Sequence, residues 1–203
     1  MFLGYMQISR KMVVIIALFT FTGCVSQQKI ALDYQPSTAT TVLQGKSASV
    51  HVVDERPFVL SGDKEPSYIG KYRAGFGNPW DVKTEGEIPL ADLLQKDISA
   101  ELASKGLAIS GDSSAGQSLN IEILDWNFDT YVNGTFDYDL KVLVYGNQNE
   151  LLVEQKFTEK KVIDGSFWTG AKSAFEREMP KIYAEIIASI LKDDGKVMQS
   201  LTE

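Results

Sequence analysis

The chain has 203 residues, 44% of them hydrophobic, a formal net charge of −7, one Cys and one His. That length suits a single domain, and three Trp, eight Tyr and ten Phe supply enough apolar surface to exclude a disordered acidic tail. A lone Cys excludes an internal disulfide, a lone His removes most zinc sites and catalytic triads, and the acidic balance argues against nucleic acid, whose phosphates need a basic surface.

Residues 1–23 contain Arg10 and Lys11, no acid, and an apolar run over 12–22 that ends at Gly23-Cys24. A helix needs about 20 apolar residues to cross a bilayer, so this shorter run reads as a cleaved signal peptide. The segment Phe21-Thr22-Gly23-Cys24 resembles the bacterial lipobox, with Phe21 where Leu is usual. The resemblance implies that Cys24 becomes the first mature residue and carries diacylglycerol and an N-acyl chain such as palmitate. No other cofactor and no metal is expected. One acyl chain binds a membrane marginally, whereas two or more anchor it stably. Val25-Ser26-Gln27 place no Asp at the second mature position, which by resemblance to enterobacterial sorting implies the periplasmic face of the outer membrane. Without its leader the chain has 18 basic and 27 acidic residues, a net of −9, so anionic lipid repels the protein and membrane contact rests on the anchor.

Residues 24–47 read as the lipidated Cys and a Gln/Ser/Thr-rich tether reaching roughly 25 Å, although Ile30, Leu32 and Tyr34 alternate as in an edge strand. A single domain is expected over 48–192, with a frayed tail at 193–203. Residues 48–53 form its first strand, on which His51 alternates with Val50 and Val52 and reads as a surface or cross-strand histidine. Residues 54–89 hold Pro57, Pro66, Pro79 and Pro89 among several glycines, and no strand or helix period persists there. The aromatic residues of this long loop predict an ordered excursion packed in part on the domain.

Leu90, Leu94, Ile98 and Leu102 predict a helix over 90–105, with Pro89 at its start and Gly106 past its end. After a turn at 110–117 comes a meander of strands at 118–131, 135–145 and 151–163. Burial of the Phe136, Tyr138, Leu140, Val142 and Val144 face favours a three-residue hairpin loop, Asn133-Gly134-Thr135, that brings this face against Phe128, Trp126 and Leu124. Leu119, Ile121 and Ile123 have the opposite phase, which predicts a β-bulge between Ile123 and Asp125. The last helix is expected over 167–192, broken at Pro180.

This order predicts an α+β two-layer sandwich: a mixed, mostly antiparallel sheet with both helices on one face. Together with the lipobox, Asp54-Glu55-Arg56-Pro57, Tyr68-Ile69-Gly70 and Gly75-Phe76-Gly77-Asn78-Pro79 resemble segments of uncharacterised small envelope lipoproteins of the YajG-like type, and the element order resembles that of LptE. The glycines at 75 and 77 lack the strand and helix that a nucleotide-binding loop requires. Asp125, Asp129, Asp137 and Asp139 lack the spacing of glycosidase or calcium carboxylates and read as a solvated face. Arg56 is expected to pin the long loop through Asp54 or Asp81, with partner recognition as the other reading.

Tyr68, Tyr72, Phe76 and Trp80, with Lys71 and Arg73, have the composition of an interface anchor set or of a cover for the sheet. With no nucleophile-base pairing to propose, the chain reads as a non-enzyme. The expected function is a lipid-anchored periplasmic accessory module that binds an envelope protein of an assembly, transport or surface-appendage complex. A carrier of lipid or another apolar ligand is the alternative.

Overall fold

The computed structural model describes residues 28–38, 40–73, 78–111, 116–130, 134–163 and 171–202, with backbone alone for 171–173. The leader and Cys24, Phe76 with its flanking glycines, the middle of the 110–117 turn and residues 167–170 lie outside the described residues.

Eight strands form one mixed sheet: β1 (Gln28–Ile30), β2 (Ser47–Asp54), β3 (Tyr68–Arg73), β4 (Pro79–Thr84), β5 (Ala108–Ile109), β6 (Gln117–Thr130), β7 (Gly134–Tyr145) and β8 (Leu151–Ile163). The described helices are α1 (Pro57–Leu60), α2 (Leu90–Ser104), α3 (Ala171–Ile190) and α4 (Lys196–Thr202). The expected α+β two-layer arrangement is present, with α2 packed on β2 and α3 and α4 packed on β7 and β8. Leu90, Leu94, Ile98 and Leu102 are fully buried in one apolar cluster that extends from Ile30 to Leu201.

The central strand is β6. Its first half pairs in parallel with β2, from Ala48 opposite Gln117 to Asp54 opposite Ile123. Its second half pairs in parallel with β3, from Gly70 opposite Phe128 to Tyr72 opposite Thr130, while antiparallel β7 runs along the other edge. The register shifts between Ile123 and Asp125, where the phase change predicted a bulge. Leu119, Ile121 and Ile123 are buried before it and Trp126 and Phe128 after it, so the extra residue keeps one strand's apolar side chains on one face through both phases.

The hairpin register differs from expectation. Phe136 faces Phe128 and Tyr138 faces Trp126, with Thr130 opposite Gly134, rather than the register that a loop at 133–135 would give. The expected face is buried, but the pairing lies four positions away, because the aromatic residues of the two strands stack on one another: Trp126 and Phe136 meet edge to face at 5.1 Å. Gly134 is therefore a strand residue, and a Cβ there would lie 2.5 Å from the Phe175 ring.

Four other expectations are corrected. Residues 54–89 are no structureless loop: β3 and β4 pair antiparallel inside it, with Pro79 tolerated as the first residue of its strand. The presumed tether belongs to the fold from Gln28 onward, since β1 pairs in parallel with β4 and Leu32 and Leu43 are buried. Helix α3 runs through Pro180, because Met179, Ile182, Tyr183, Ile186 and Ile190 form a buried stripe on both sides that offsets the lost hydrogen bond. The presumed tail is α4, which docks Val197, Met198 and Leu201 and accepts a hydrogen bond from the Gln117 amide on the Ser200 carbonyl, at 2.9 Å.

Two buried carboxylates tie the helical layer together. The Tyr183 hydroxyl donates to Asp97 across α3 and α2 at 3.0 Å, and burial pushes the Asp97 carboxyl up despite that hydrogen bond. Glu101 receives hydrogen bonds from the Tyr34 hydroxyl (2.7 Å), the Ser37 amide (2.8 Å) and the Ser37 hydroxyl (2.7 Å), strapping the amino-terminal segment to α2. Burial pushes the Glu101 carboxyl up, but these donors and the Lys105 ammonium outweigh it and hold the group below its ordinary range.

A depressed carboxylate stabilises the fold above its unfolded pKa and loses that contribution as pH falls through its folded pKa. Glu101→Gln should accordingly cost about 1–3 kcal/mol at neutral pH. In urea titrations the gap to wild type should close below about pH 4.5, and a gap constant down to pH 3 would contradict this account. Gly134→Ala should lose about 1–3 kcal/mol by overpacking, part of it recovered when Phe175→Leu is added. Additive losses in the double variant would show that the two residues do not compete for the same space.

Candidate functional site

The sequence directs attention to the segment between β2 and β4, and the structure divides its residues. Arg56 follows the end of β2, in the gap where β2 stops pairing with β6 and β3 begins. Its Nε and Nη2 donate to the two Asp54 carboxylate oxygens at 2.7 and 2.6 Å, Nη1 donates to the Tyr68 carbonyl at 2.6 Å, and Nη2 also reaches the Pro66 carbonyl at 3.1 Å. The guanidinium is fully buried, stands over the Phe58 ring at 5.3 Å and fastens the long excursion to the sheet through Asp54. Asp81, the other acid considered for it, pairs with Lys64.

Tyr68 is also buried, edge to face with Phe58 and beneath the Lys64 ammonium, and burial pushes its phenol up to about 12. Arg56 and Tyr68 are therefore not surface contacts, which corrects the partner-binding role considered for them. Tyr72 and Trp80 face each other across β3 and β4; both are half-buried, and Tyr72 packs against the core. Lys71 and Arg73 lie on the opposite face, where they hold Asp129: Arg73 forms a two-pronged pair at 2.7 Å, and the Asp129 carboxyl sits below the usual carboxylate range.

Another opening lies on the sheet face away from the helices. Parallel register places His51 beside Asn120 and Ser49 beside Ser118. The turn after β7 rises over them, held by the Gly146 amide donating to the Glu150 carbonyl (2.9 Å), the Asn149 amide to the Gly146 carbonyl (2.9 Å) and the Gln148 amide to the Glu150 carboxylate (2.9 Å). Between them is a cavity of about 650 Å³ lined by His51, Gly116, Ser118, Asn120 and residues 146–149.

Among the described residues no Asp, Glu, Lys or Arg lines this cavity. His51 Nε2 and Asn120 Oδ1 are buried atoms without a hydrogen-bond partner. Such buried atoms carry a desolvation cost that lies beneath the cleft floor, while the Ser, Asn, Gln and Gly groups of the lining offer the hydrogen-bonding surface. The chemistry on offer is recognition of neutral amide or hydroxyl groups. Among the described residues no cluster of His, Cys, Asp or Glu could hold a metal ion.

The alternation of Ser118 and Asn120 with Leu119 and Ile121 is the one sequence signal for this cleft; its other wall arrives through the β2–β6 pairing, which local pattern does not encode.

No family model matches the chain, and no curated protein matches it significantly. Solved structures do. A DUF330 protein from Xanthomonas campestris superposes with a TM-score of 0.52 and 13% identity, covering 79% of this chain and 92% of its own. This chain shares its fold. A second solved structure, of an uncharacterised protein, gives a TM-score of 0.50 and 12% identity over 83% of this chain and 99% of its own. A minor lipoprotein from Acinetobacter baumannii gives a TM-score of 0.40 and 8% identity over 73% and 91%. At these identities the likeness is one of architecture.

Removing Arg56 would take the guanidinium donors from the Asp54 carboxylate and the Tyr68 carbonyl in the interior, while the Pro66 carbonyl keeps the Leu90 amide. Arg56→Ala should cost about 3–5 kcal/mol in urea unfolding. Arg56→Lys should recover only part of that, because an ammonium cannot form the fork. A loss under about 1 kcal/mol for the Ala variant would remove Arg56 from this role.

Proposed function

We propose that the chain is a lipoprotein held by Cys24 on the periplasmic face of the outer membrane, with a domain that serves as a non-enzymatic binding module for an envelope protein of an assembly, transport or surface-appendage complex. The observation that carries the binding role is the cleft of about 650 Å³ beside His51 and Asn120, whose described lining of neutral Ser, Asn, Gln and Gly groups suits the amide groups of a peptide segment. The anchor rests on the lipobox-like Phe21-Thr22-Gly23-Cys24 and on the YajG-like resemblance of the segments around Arg56, Tyr68 and Phe76. No helix among the described residues is long and apolar enough to cross a membrane.

The apolar-carrier reading finds less support. The apolar cleft between Tyr72, Val82, Phe128 and Phe175 holds only about 10 Å³, whereas small-molecule sites usually enclose about 300–1,000 Å³.

Wild-type protein expressed in a Gram-negative host should incorporate labelled palmitate and sediment with outer membranes, while Cys24→Ser should incorporate none and move to the soluble fraction. A photo-crosslinking residue at Gln148, on the cleft rim, should capture an envelope protein, and the adduct should disappear in His51→Ala/Asn120→Ala with the melting temperature held. Capture that persists in the double variant would place binding elsewhere; palmitate on the Cys24→Ser chain would refute the anchor.

A further inference from the structure

Strand β8 closes one side of the sheet. Its inner edge pairs with β7 over its whole length, from Gly134 opposite Ile163 to Tyr145 opposite Leu151. Among the described residues no strand lies on its outer edge, which leaves a row of backbone donors and acceptors to solvent over 13 residues. Long edges of this kind invite pairing and are ordinarily blunted by charge, a bulge or a cover. Here the charged residues Glu154, Lys156, Glu159 and Lys160 share the strand with the exposed apolar residues Leu151, Leu152 and Val162 at 49%, 39% and 64%.

The order of those residues carries the inference. Side chains at 152, 154, 156, 158, 160 and 162 share one face, so a second β8 running antiparallel about a two-fold axis normal to the sheet must pair even positions with even. With the axis at Phe157, Leu152 lies opposite Val162, Glu154 opposite Lys160 and Lys156 opposite Thr158, and each pair occurs twice by symmetry. Both exposed apolar side chains of that face are covered, and both ion pairs are formed. On the other face Gln155 meets Glu159, an amide against a carboxylate.

Neighbouring registers do the opposite. Moving the axis to Gln155's neighbour Lys156 sets that lysine against its own copy and Leu152 against Lys160. Moving it to Thr158 sets Lys156 against Lys160 and Glu154 against Val162. Like charges directly opposite are destabilising, which disfavours both. An axis at Gln155 keeps Glu154 opposite Lys156 but sets Leu152 against Thr158 and leaves Val162 uncovered, so the Phe157 register alone of the four both pairs the charges and covers both apolar side chains.

We propose that β8 is a homodimer interface: two copies join edge to edge through antiparallel β8 strands centred on Phe157, making a continuous sheet with the helices of both copies on one side. Lys160 already lies 3.3 Å from Asp137 on its own β7 and remains 69% exposed, so its free side is available to Glu154 of the second copy.

The test uses full-length chains purified in detergent, one population with each of two affinity tags. Wild-type copies should copurify, and high salt should weaken the association because the pairs are exposed. Glu154→Lys alone and Lys160→Glu alone should each reduce copurification about tenfold or more, since each sets like charges opposite twice per dimer. Mixing the Glu154→Lys chain with the Lys160→Glu chain should restore it, as the mixed pair again has opposite charges at both positions. Glu154→Lys should melt with wild type, whereas Lys160→Glu sets a carboxylate opposite Asp137 on its own β7 and should melt lower. Recovery of copurification on mixing, which no folding defect would give, separates that loss from the interface. Absence of wild-type copurification, copurification that the single substitutions leave unchanged, or failure of the mixture to recover would each overturn the proposal.

Discussion

The structure depends on one strand with more than one neighbour along the same edge. β6 gives its first half to β2 and its second half to β3, and both strands run parallel to it. That arrangement leaves a gap where one neighbour stops and the next begins, filled with chain that cannot use the ordinary ladder. Two features resolve it. The bulge between Ile123 and Asp125 rotates β6 so that both halves present apolar side chains to the helices. Arg56 supplies, from a side chain, donors to the carbonyls of Tyr68 and Pro66 at the start of β3, where the chain enters the gap. Burying a guanidinium is tolerable because its charge is matched by Asp54 and its planar fork is satisfied.

The two faces of the resulting sheet have different chemistry. The helical face is a continuous apolar cluster in which Asp97 and Glu101 are buried polar groups, each held by hydrogen bonds from another segment. The open face is laced with ion pairs such as Arg73 with Asp129, Lys141 with Glu122 and Lys160 with Asp137. The cleft beside His51 interrupts that charged surface with neutral groups.

Elements built on local periodicity were legible in the sequence. The stripe at Leu90, Leu94, Ile98 and Leu102 locates α2, and alternation along β6, β7 and β8 locates the meander to within a residue or so. The bulge was legible because a phase change is a local property. The register was not: Phe136 opposite Phe128 is decided by aromatic packing between strands, and parity alone leaves several loops open. β3 and β4 escaped because their partners are β1 and β6, far away in sequence, and because Gly70, the mark of a broken strand, is where Phe128 comes so close that a Cβ would lie 2.6 Å from it. α4 escaped because three apolar residues in seven do not establish a period. Of the aromatic set, composition identified residues that matter to the fold, and Arg56 and Tyr68 serve it from inside.

The strap between Tyr34, Ser37 and Glu101 bears on how a domain anchored at Cys24 would stand on a membrane. Chain that was expected to be slack is already committed to β1 at Gln28, so only four residue steps separate it from Cys24. Four extended residues reach at most about 14 Å. If Cys24 carries the proposed anchor, that anchor would act as a short post, holding the β1–β4 side of the sheet within that distance of the membrane surface.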